Sequence, residues 1–401
     1  ESFTEKLAVD SNVEIGKLSN GLTYYIRQNN KPEKRLELRL VVNAGSILEN
    51  DNQKGLAHFV EHMAFNGSTH FKKNELISYL QSIGVQFGGD LNAYTSFDET
   101  VFILPIPTDN KANVDKGFLV LEDWASGLSF DSTEFEKERG VVIEEARLGK
   151  GASDRVRKKL LPKIFNGSRY AERLPIGSEE IIKNANLETI KAFYNDWYRP
   201  DLMAVVVVGD ITSAEAKRLI EKHFGNLKNP KGERLRTQYA VTARTATEAI
   251  VITDKENTSS SMQIYGASIV SKPITTLEDF RIQLSKAIIF SLLNQRLQEK
   301  AQQSNPPFIN ASSGLAGFVR GYQIYQSTAL LGSDGSEPAI AAVLAENQRA
   351  QQFGFTESEL ERAKLNFMKA YEQQFNEHEK TQSSIFTQAY VSHFLSQSPI
   401  A

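Results

Sequence analysis

Cysteine is absent from this chain of 401 residues. That excludes disulfides, thiol nucleophiles, iron–sulfur clusters and the Cys-based structural zinc sites, so any metal must sit on His and carboxylates. Charge of one sign is lacking too. Forty-six Lys and Arg against 49 Asp and Glu leave a formal net charge of −3, which offers no basic field to nucleic acid or anionic lipid. No nucleic-acid partner is expected. Long apolar runs are also missing: the longest aliphatic stretch, Leu202 to Val208, is far below the ~18 residues that suggest a membrane span. No secretory signal is visible, and a chain that starts at Glu1 rather than Met is expected to have a processed N-terminus. What remains is ordinary globular composition, 40% hydrophobic and 24% charged, with length for two or three domains at ~150 residues each.

Periodicity predicts an α/β order. Strand-like Leu22–Arg27 and Leu36–Val42 form a hairpin around Asn29, Asn30 and Pro32. Helical spacing over Lys54–Phe65 ends at an Asn66-Gly67 cap, and helix Asn74–Ser82 follows. After Gly88-Gly89-Asp90, the Thr-, Tyr-, Phe- and Val-rich run Leu91–Pro105 reads as one strand, with Pro105 and Pro107 placing its end near a sheet edge. Helices are expected at Asn113–Gly127, Ser132–Leu148, Leu187–Trp197 and Ser213–Phe224, with a buried strand at Met203–Gly209. The basic, Gly- and Pro-containing stretch Gly225–Arg236 reads as a connector, which places a first domain at 1–230 and a second at 231–401. In the second, strand-like Met262–Ile269, helix Leu277–Gln302, strand-like Tyr322–Leu331 and helices Pro338–Phe353 and Glu357–Asn376 recur in the same order. An ungapped offset of 225 lays Phe355-Thr-Glu-Ser-Glu-Leu-Glu-Arg on Phe130-Asp-Ser-Thr-Glu-Phe-Glu-Lys, an internal repeat. The second copy stops where the first still has a helix, a strand and a helix to come, so it is expected to be truncated.

Chemistry concentrates in His58-Phe59-Val60-Glu61-His62. At 100° per residue His58, Glu61 and His62 share an arc of about 100° on one helical face, so two imidazoles can reach one metal with a carboxylate beside them. The opposite stripe, Leu56, Phe59, Val60 and Met63, reads as core. A catalytic zinc needs a third protein ligand, here His, Asp or Glu. On Ser132–Leu148 the stripe Glu134, Glu138, Val141, Glu145 and Leu148 mixes apolar and acidic residues, as if some carboxylates face inward toward a metal. Glu144 instead aligns with Lys137, Gly140 and Arg147 on a charge-compensated solvent face, which favours Glu145 as the ligand. Glu138 lies two turns, ~10 Å, away, and is cast as a group supporting a ligand. The alternative is a merely acidic surface helix.

These segments resemble a known family. His58–His62 continued by Met63-Ala-Phe-Asn-Gly-Ser68, Leu91-Asn-Ala-Tyr-Thr95, Glu136-Lys-Glu-Arg-Gly-Val-Val-Ile-Glu-Glu145, Tyr170-Ala-Glu-Arg-Leu-Pro-Ile-Gly177 and Trp197-Tyr-Arg-Pro200 are similar to the pitrilysin/insulinase zinc peptidases, in particular the large exported proteases of bacteria. The resemblance implies an α+β fold of two homologous α/β repeats, each a mixed, mostly antiparallel sheet with helices packed on it. It implies one zinc (Zn2+) per chain on His58, His62 and Glu145, with Glu61 as general base and Glu138 assisting. It further implies peptide substrates bound along an edge strand at Asn92, Ala93 and Tyr94, and a periplasmic or otherwise exported location.

Two departures stand out. Glu138 and Glu145 fall on Ala363 and Ala370 in the second repeat, which cannot hold the same metal. The family's substrate-binding Arg and Tyr find only Arg296, with Gln303 in the place of Tyr, so a missing C-terminal half or a homologous partner chain is expected to face the zinc. Two other readings stay open: a non-catalytic scaffold or receptor on the same fold, and a zinc hydrolase for a non-peptide substrate. His70, His223, His378 and His393 have no partner at ligand spacing and are expected to be ordinary surface or half-buried residues. Arg155–Lys163 reads as a solvated helix face that could border an acidic substrate path, and Gly314–Gly321 as close strand packing.

Overall fold

The computed structural model describes residues 3–85, 92–149, 151–165 and 167–400; Gly88-Gly89-Asp90 and Leu91 lie outside these. In chain order the elements are β1 (Glu14–Lys17), β2 (Thr23–Gln28), β3 (Arg35–Val42), α1 (Leu56–Met63), α2 (Lys73–Ser82), β4 (Asn92–Thr95) and β5 (Thr100–Pro107). Then follow α3 (Lys111–Ser126), α4 (Ser132–Leu148), α5 (Ala152–Ile164), α6 (Glu179–Asn184), α7 (Leu187–Trp197), β6 (Met203–Gly209) and α8 (Ser213–Phe224). The last are β7 (Ser261–Val270), α9 (Leu277–Ala301), β8 (Asn310–Gly317), β9 (Tyr322–Leu330), α10 (Ser336–Phe353), α11 (Glu357–Asn376) and α12 (Ser383–Ser396).

Two compact units divide the chain: one of Ala8–Gly151, Leu161–Thr242 and Thr381–Ala401, the other of Glu1–Leu7, Ala152–Leu160 and Ala243–Lys380. The first is built on a six-stranded sheet in the order β1-β2-β6-β3-β5-β4. Among the described strands only the β2–β6 pair is parallel, so the sheet is mixed and mostly antiparallel; β6 stands between β2 and β3, so the hairpin expected of those two strands does not form. The all-buried run of β6, Met-Ala-Val-Val-Val-Val-Gly, suits a central strand covered on both faces, where β-branched side chains pack on the pleat. On one face Gly117 of α3 lets the helix settle close to the sheet; a Cβ there would lie 2.6 Å from Ile106 Cδ1. On the other face Tyr25, Val41, Val101, Val206 and Val208 pack with Tyr390 and Val391 of α12.

Residues 381–401, expected with the second domain from their place in the chain, thus belong with the first unit. Helix α12 is held there because its apolar residues complete that core and Tyr390 also meets Arg27 at 3.3 Å. Where one strand is expected, residues 92–107 hold two antiparallel strands, joined by a turn that Ser96 N–H closes by donating to Glu99 O at 2.8 Å.

The second unit has a three-stranded antiparallel sheet, β7-β9-β8. Its core joins Met262, Leu293, Leu297, Phe308, Ala329, Ala339 and Val343. The offset of 225 carries the first residues of α3 and α4, Lys111 and Ser132, onto Ser336 and Glu357, the first residues of α10 and α11. Gly314 and Gly317 meet nothing within 4 Å of an added Cβ. The expected close strand packing is therefore not why glycine stands there.

Candidate metal centre and active site

Helix α1 has Gly55 at its N-cap with φ +102 and no side-chain cap of its own. The cap comes from afar: the fully buried Glu49 takes the N–H groups of Gly55 and Ala57 on Oε1, at 3.1 and 2.9 Å, as an acceptor at a helix N-terminus should. At the other end the Trp124 indole donates to Ala64 O at 3.0 Å and Asn66 Nδ2 to His62 O at 2.9 Å. Leu56, Phe59, Val60 and Met63 are buried, as their stripe requires. His58 and His62 face Glu138 and Glu145 of α4, Glu61 meets Thr95 of β4, and Phe59 stacks on Phe135 of α4 at 4.9 Å.

The inward line of α4 differs from the expected one. Val141 and Leu148 are 50% and 75% exposed, while Phe135, Glu138 and Val142 are buried. The helix is turned so that Phe135, Glu138, Val142 and Glu145, spaced three, four and three apart, run along α1. Glu145 ends that line, with its side chain 51% exposed to solvent at the rim. Glu144 pairs with Arg147 Nε at 2.8 Å on the solvent side.

Three donor atoms converge. His62 Nε2 lies 3.2 Å from His58 Nε2 and 3.2 Å from Glu145 Oε2, and His58 Nε2 lies 3.8 Å from Glu145 Oε2. Ligands about 2.0–2.2 Å from a tetrahedral zinc stand roughly 3.3–3.6 Å apart, within a few tenths of an ångström of the separations here, so the donor set suits zinc in type and spacing. Two imidazole nitrogens and a carboxylate oxygen facing one another this closely are relieved by a cation between them. Among the described residues this is the one group of three or more His or acidic side chains whose ligand atoms all lie within 4.8 Å of one another.

Glu138 does not join the cluster; its Oε1 lies 2.8 Å from His62 Nδ1. An Nδ1–H donated there leaves the Nε2 lone pair aimed at the centre. Burial lowers the His62 pKa, but the Glu138 hydrogen bond and charge outweigh it and hold it above the usual histidine value. Glu138 responds in kind: burial pushes it up, and His62 brings it below the usual carboxylate range. His58 has no such partner, and burial with the neighbouring His62 charge pushes it down to about 4, so its ring is neutral. Glu61 is buried beside the cluster, and burial raises its pKa against the pull of Thr95 and His62.

Asn92, Ala93 and Tyr94 lie on β4, the outermost strand of the sheet, which packs beside α1. The Tyr94 side chain is exposed; that of Asn92 is outside the described residues. Arg296 is not offered to a substrate. It is buried and forked onto Glu359 at 2.7 and 2.8 Å, inside its own unit. Arg155 is tied to Asp254 at 2.6 Å in the second unit. His70 pairs with Asp123 and His393 with Tyr25, both at 2.7 Å. His223 is buried rather than half-buried, clamped between Glu122 and Asp115 at 2.7 and 3.0 Å. Sequence reasoning did not find Glu49, though a helix opened by Gly55 without a cap of its own signals that an acceptor outside the helix is needed.

Glu49 has a measurable consequence. Full burial pushes its carboxyl up to about 8 despite the two N–H groups and the nearby Arg173 and Arg169. Below about 4.5 the group is neutral folded and unfolded; between 4.5 and 8 only the unfolded chain has released the proton. Stability from this group therefore falls as pH rises across that window. The Glu49→Gln protein, neutral throughout, should gain stability relative to wild type between pH 5 and pH 8, as checked by denaturant unfolding at both.

A helix presenting His, Glu and His to a carboxylate of a second helix defines a metallohydrolase-type centre. The pattern described as "Insulinase (Peptidase family M16)" matches residues 24–174, and that of the "Peptidase M16 inactive domain" matches 184–367. The probable zinc protease PqqL of Escherichia coli is 34% identical over 361 residues, covering 89% of this chain and 38% of the relative. A zinc protease PQQL-like of Arabidopsis thaliana is 32% identical, covering 96% and 38%. The crystal structure of the first half of the E. coli periplasmic protease PqqL superposes with a TM-score of 0.91 at 30% identity, covering 98% of this chain and 84% of that one. The chain belongs to the insulinase (M16) peptidase family and has its α+β fold of two homologous repeats. It spans about two fifths of the length of these curated relatives. No helix is long and apolar enough to cross a membrane among the described residues.

Proposed function

We propose that the chain carries the catalytic centre of a zinc-dependent endopeptidase that cuts unfolded peptides or small proteins, with one zinc on His58, His62 and Glu145. The convergence of those three donors, 3.2 to 3.8 Å apart beside the buried Glu61, carries the reading. Zinc bound there supplies Lewis acidity toward water and the scissile carbonyl. Glu61 takes the proton of the attacking water and passes it to the departing amine; burial makes its carboxylate the stronger base this needs. Glu138 holds the His62 tautomer, while Glu145 at the rim keeps the centre open to substrate. The second repeat, with Ala363 and Ala370 in the corresponding positions, takes no metal.

The peptide lies along β4, at Asn92, Ala93 and Tyr94, as an added strand. Its enclosure is completed by a facing half, supplied by further sequence of the kind the longer relatives have or by a homologous partner chain. An exported, periplasmic location follows the likeness to the E. coli protease. Strand addition demands extended substrates, so the zinc-loaded protein should cleave a denatured protein much faster than its folded form, and a chelator should stop both. Equal rates on folded and denatured forms would contradict this mode of binding.

A further inference from the structure

Glu61 is tied from the side of the substrate strand. Thr95, the last residue of β4, donates its hydroxyl to Glu61 Oε2 at 2.6 Å. The end of the strand that holds Thr95 is itself fixed. Its cross-strand partner Thr100 donates Oγ1–H to Ala44 O at 2.9 Å. The turn beyond accepts Ser46 N–H on Ser96 O at 3.1 Å and Ile47 N–H on Phe97 O at 2.8 Å. Asp98 in that turn is gripped by Tyr170 Oη at 2.8 Å and by Arg236 Nη2 at 2.9 Å. Gly45 permits the approach, since a Cβ there would lie 2.3 Å from Ser96 O.

We propose that Thr95 is the positioning residue of the general base: its hydroxyl occupies Oε2 of Glu61, sets the carboxylate plane, and leaves Oε1 to accept the proton of water. The inference rests on the peptidase reading of the site. Thr95 is not one of the three converging donors and acts through Glu61. A threonine hydroxyl has one proton to donate, and giving it to Glu61 makes Oε2 the poorer proton acceptor of the two. The same strand is the one along which the peptide is placed, so base and substrate share one rigid support.

Thr95→Val keeps the shape and removes the hydroxyl; Thr95→Ser keeps the hydroxyl. With zinc content equal, Thr95→Val should lower kcat for a short unstructured peptide about 10- to 100-fold with KM within about twofold. Thr95→Ser should stay within about threefold of wild type. In crystals of the zinc-loaded Thr95→Val protein Glu61 should leave its position while His58, His62 and Glu145 keep theirs. A wild-type kcat in Thr95→Val, a loss in Thr95→Ser as deep as in Thr95→Val, or an unmoved Glu61 would each overturn the proposal. Absence of zinc-dependent cleavage in the wild-type protein with its facing half present would instead overturn the peptidase reading, and the position of Glu61 would still report on the clamp.

Discussion

Replacing Glu61 by Gln should leave one zinc per chain and lower peptide cleavage about 10²- to 10⁴-fold, the usual contribution of a positioned general base. The amide has nearly the same shape, and its oxygen can still accept the Thr95 hydroxyl that now reaches Oε2 at 2.6 Å. What it cannot do is take a proton from water. Glu61 stands beside the converging donors, not among them, so metal content should not change. Its carboxyl is buried, and burial raises its pKa, so the neutral variant should fold at least as well as wild type. Zinc analysis and a quenched fluorescent peptide on one preparation check all of this. Retained turnover would remove Glu61 from the mechanism.

His62→Ala should abolish stoichiometric zinc binding, because it deletes the donor that lies 3.2 Å from both of the others. It also strips Glu138 of the imidazole that holds its carboxyl below the usual range. A buried carboxylate left without its partner costs on the order of 1–3 kcal/mol, so this variant should be less stable even without metal. Glu145→Ala separates the two effects, since its side chain is 51% exposed: zinc binding should fall with little loss of metal-free stability. Added zinc at 1,000 times its dissociation constant should stabilise wild type by about 4 kcal/mol and His62→Ala not at all. Thermal melts with and without zinc provide the comparison.

Elements with strong local signals are legible in the sequence. The ranges expected for α4, α7, β6, α8 and α11 coincide with those observed: Asp131, Asn186, Thr212 and Thr356 cap their helices with side-chain oxygens, and β6 is one apolar run. The turn between β4 and β5, Ser96-Phe-Asp-Glu99, contains no Gly or Pro. It is held by Ser46, Ile47, Tyr170 and Arg236 from elsewhere in the chain, which no local pattern reveals. Helix α12 was hidden for a related reason: the side chains that fix it, Tyr25, Arg27 and Val206 among them, are far away in sequence.

At the site, the meeting of Glu145 with His58 and His62 and the turn of Glu144 to Arg147 at the solvent side follow helical spacing that the sequence displays. The rotation of α4 could not be read there, since it follows from Phe135 stacking on Phe59 of another helix. The grip of Glu359 on Arg296 joins α11 to α9 across 63 residues of sequence, and no local pattern announces it. Thr95 and Glu49 act on α1 through contacts 34 and six to eight residues away, and their residue types alone do not announce them.

The central claim is that His58, His62 and Glu145 hold one zinc beside Glu61. Anomalous diffraction at the zinc edge from crystals grown with stoichiometric zinc tests it most directly. The account predicts a single peak about 2.0–2.2 Å from His58 Nε2, His62 Nε2 and a Glu145 carboxylate oxygen, with Glu61 outside that sphere. A peak elsewhere in the protein, or none at those three atoms at full zinc loading, would contradict it.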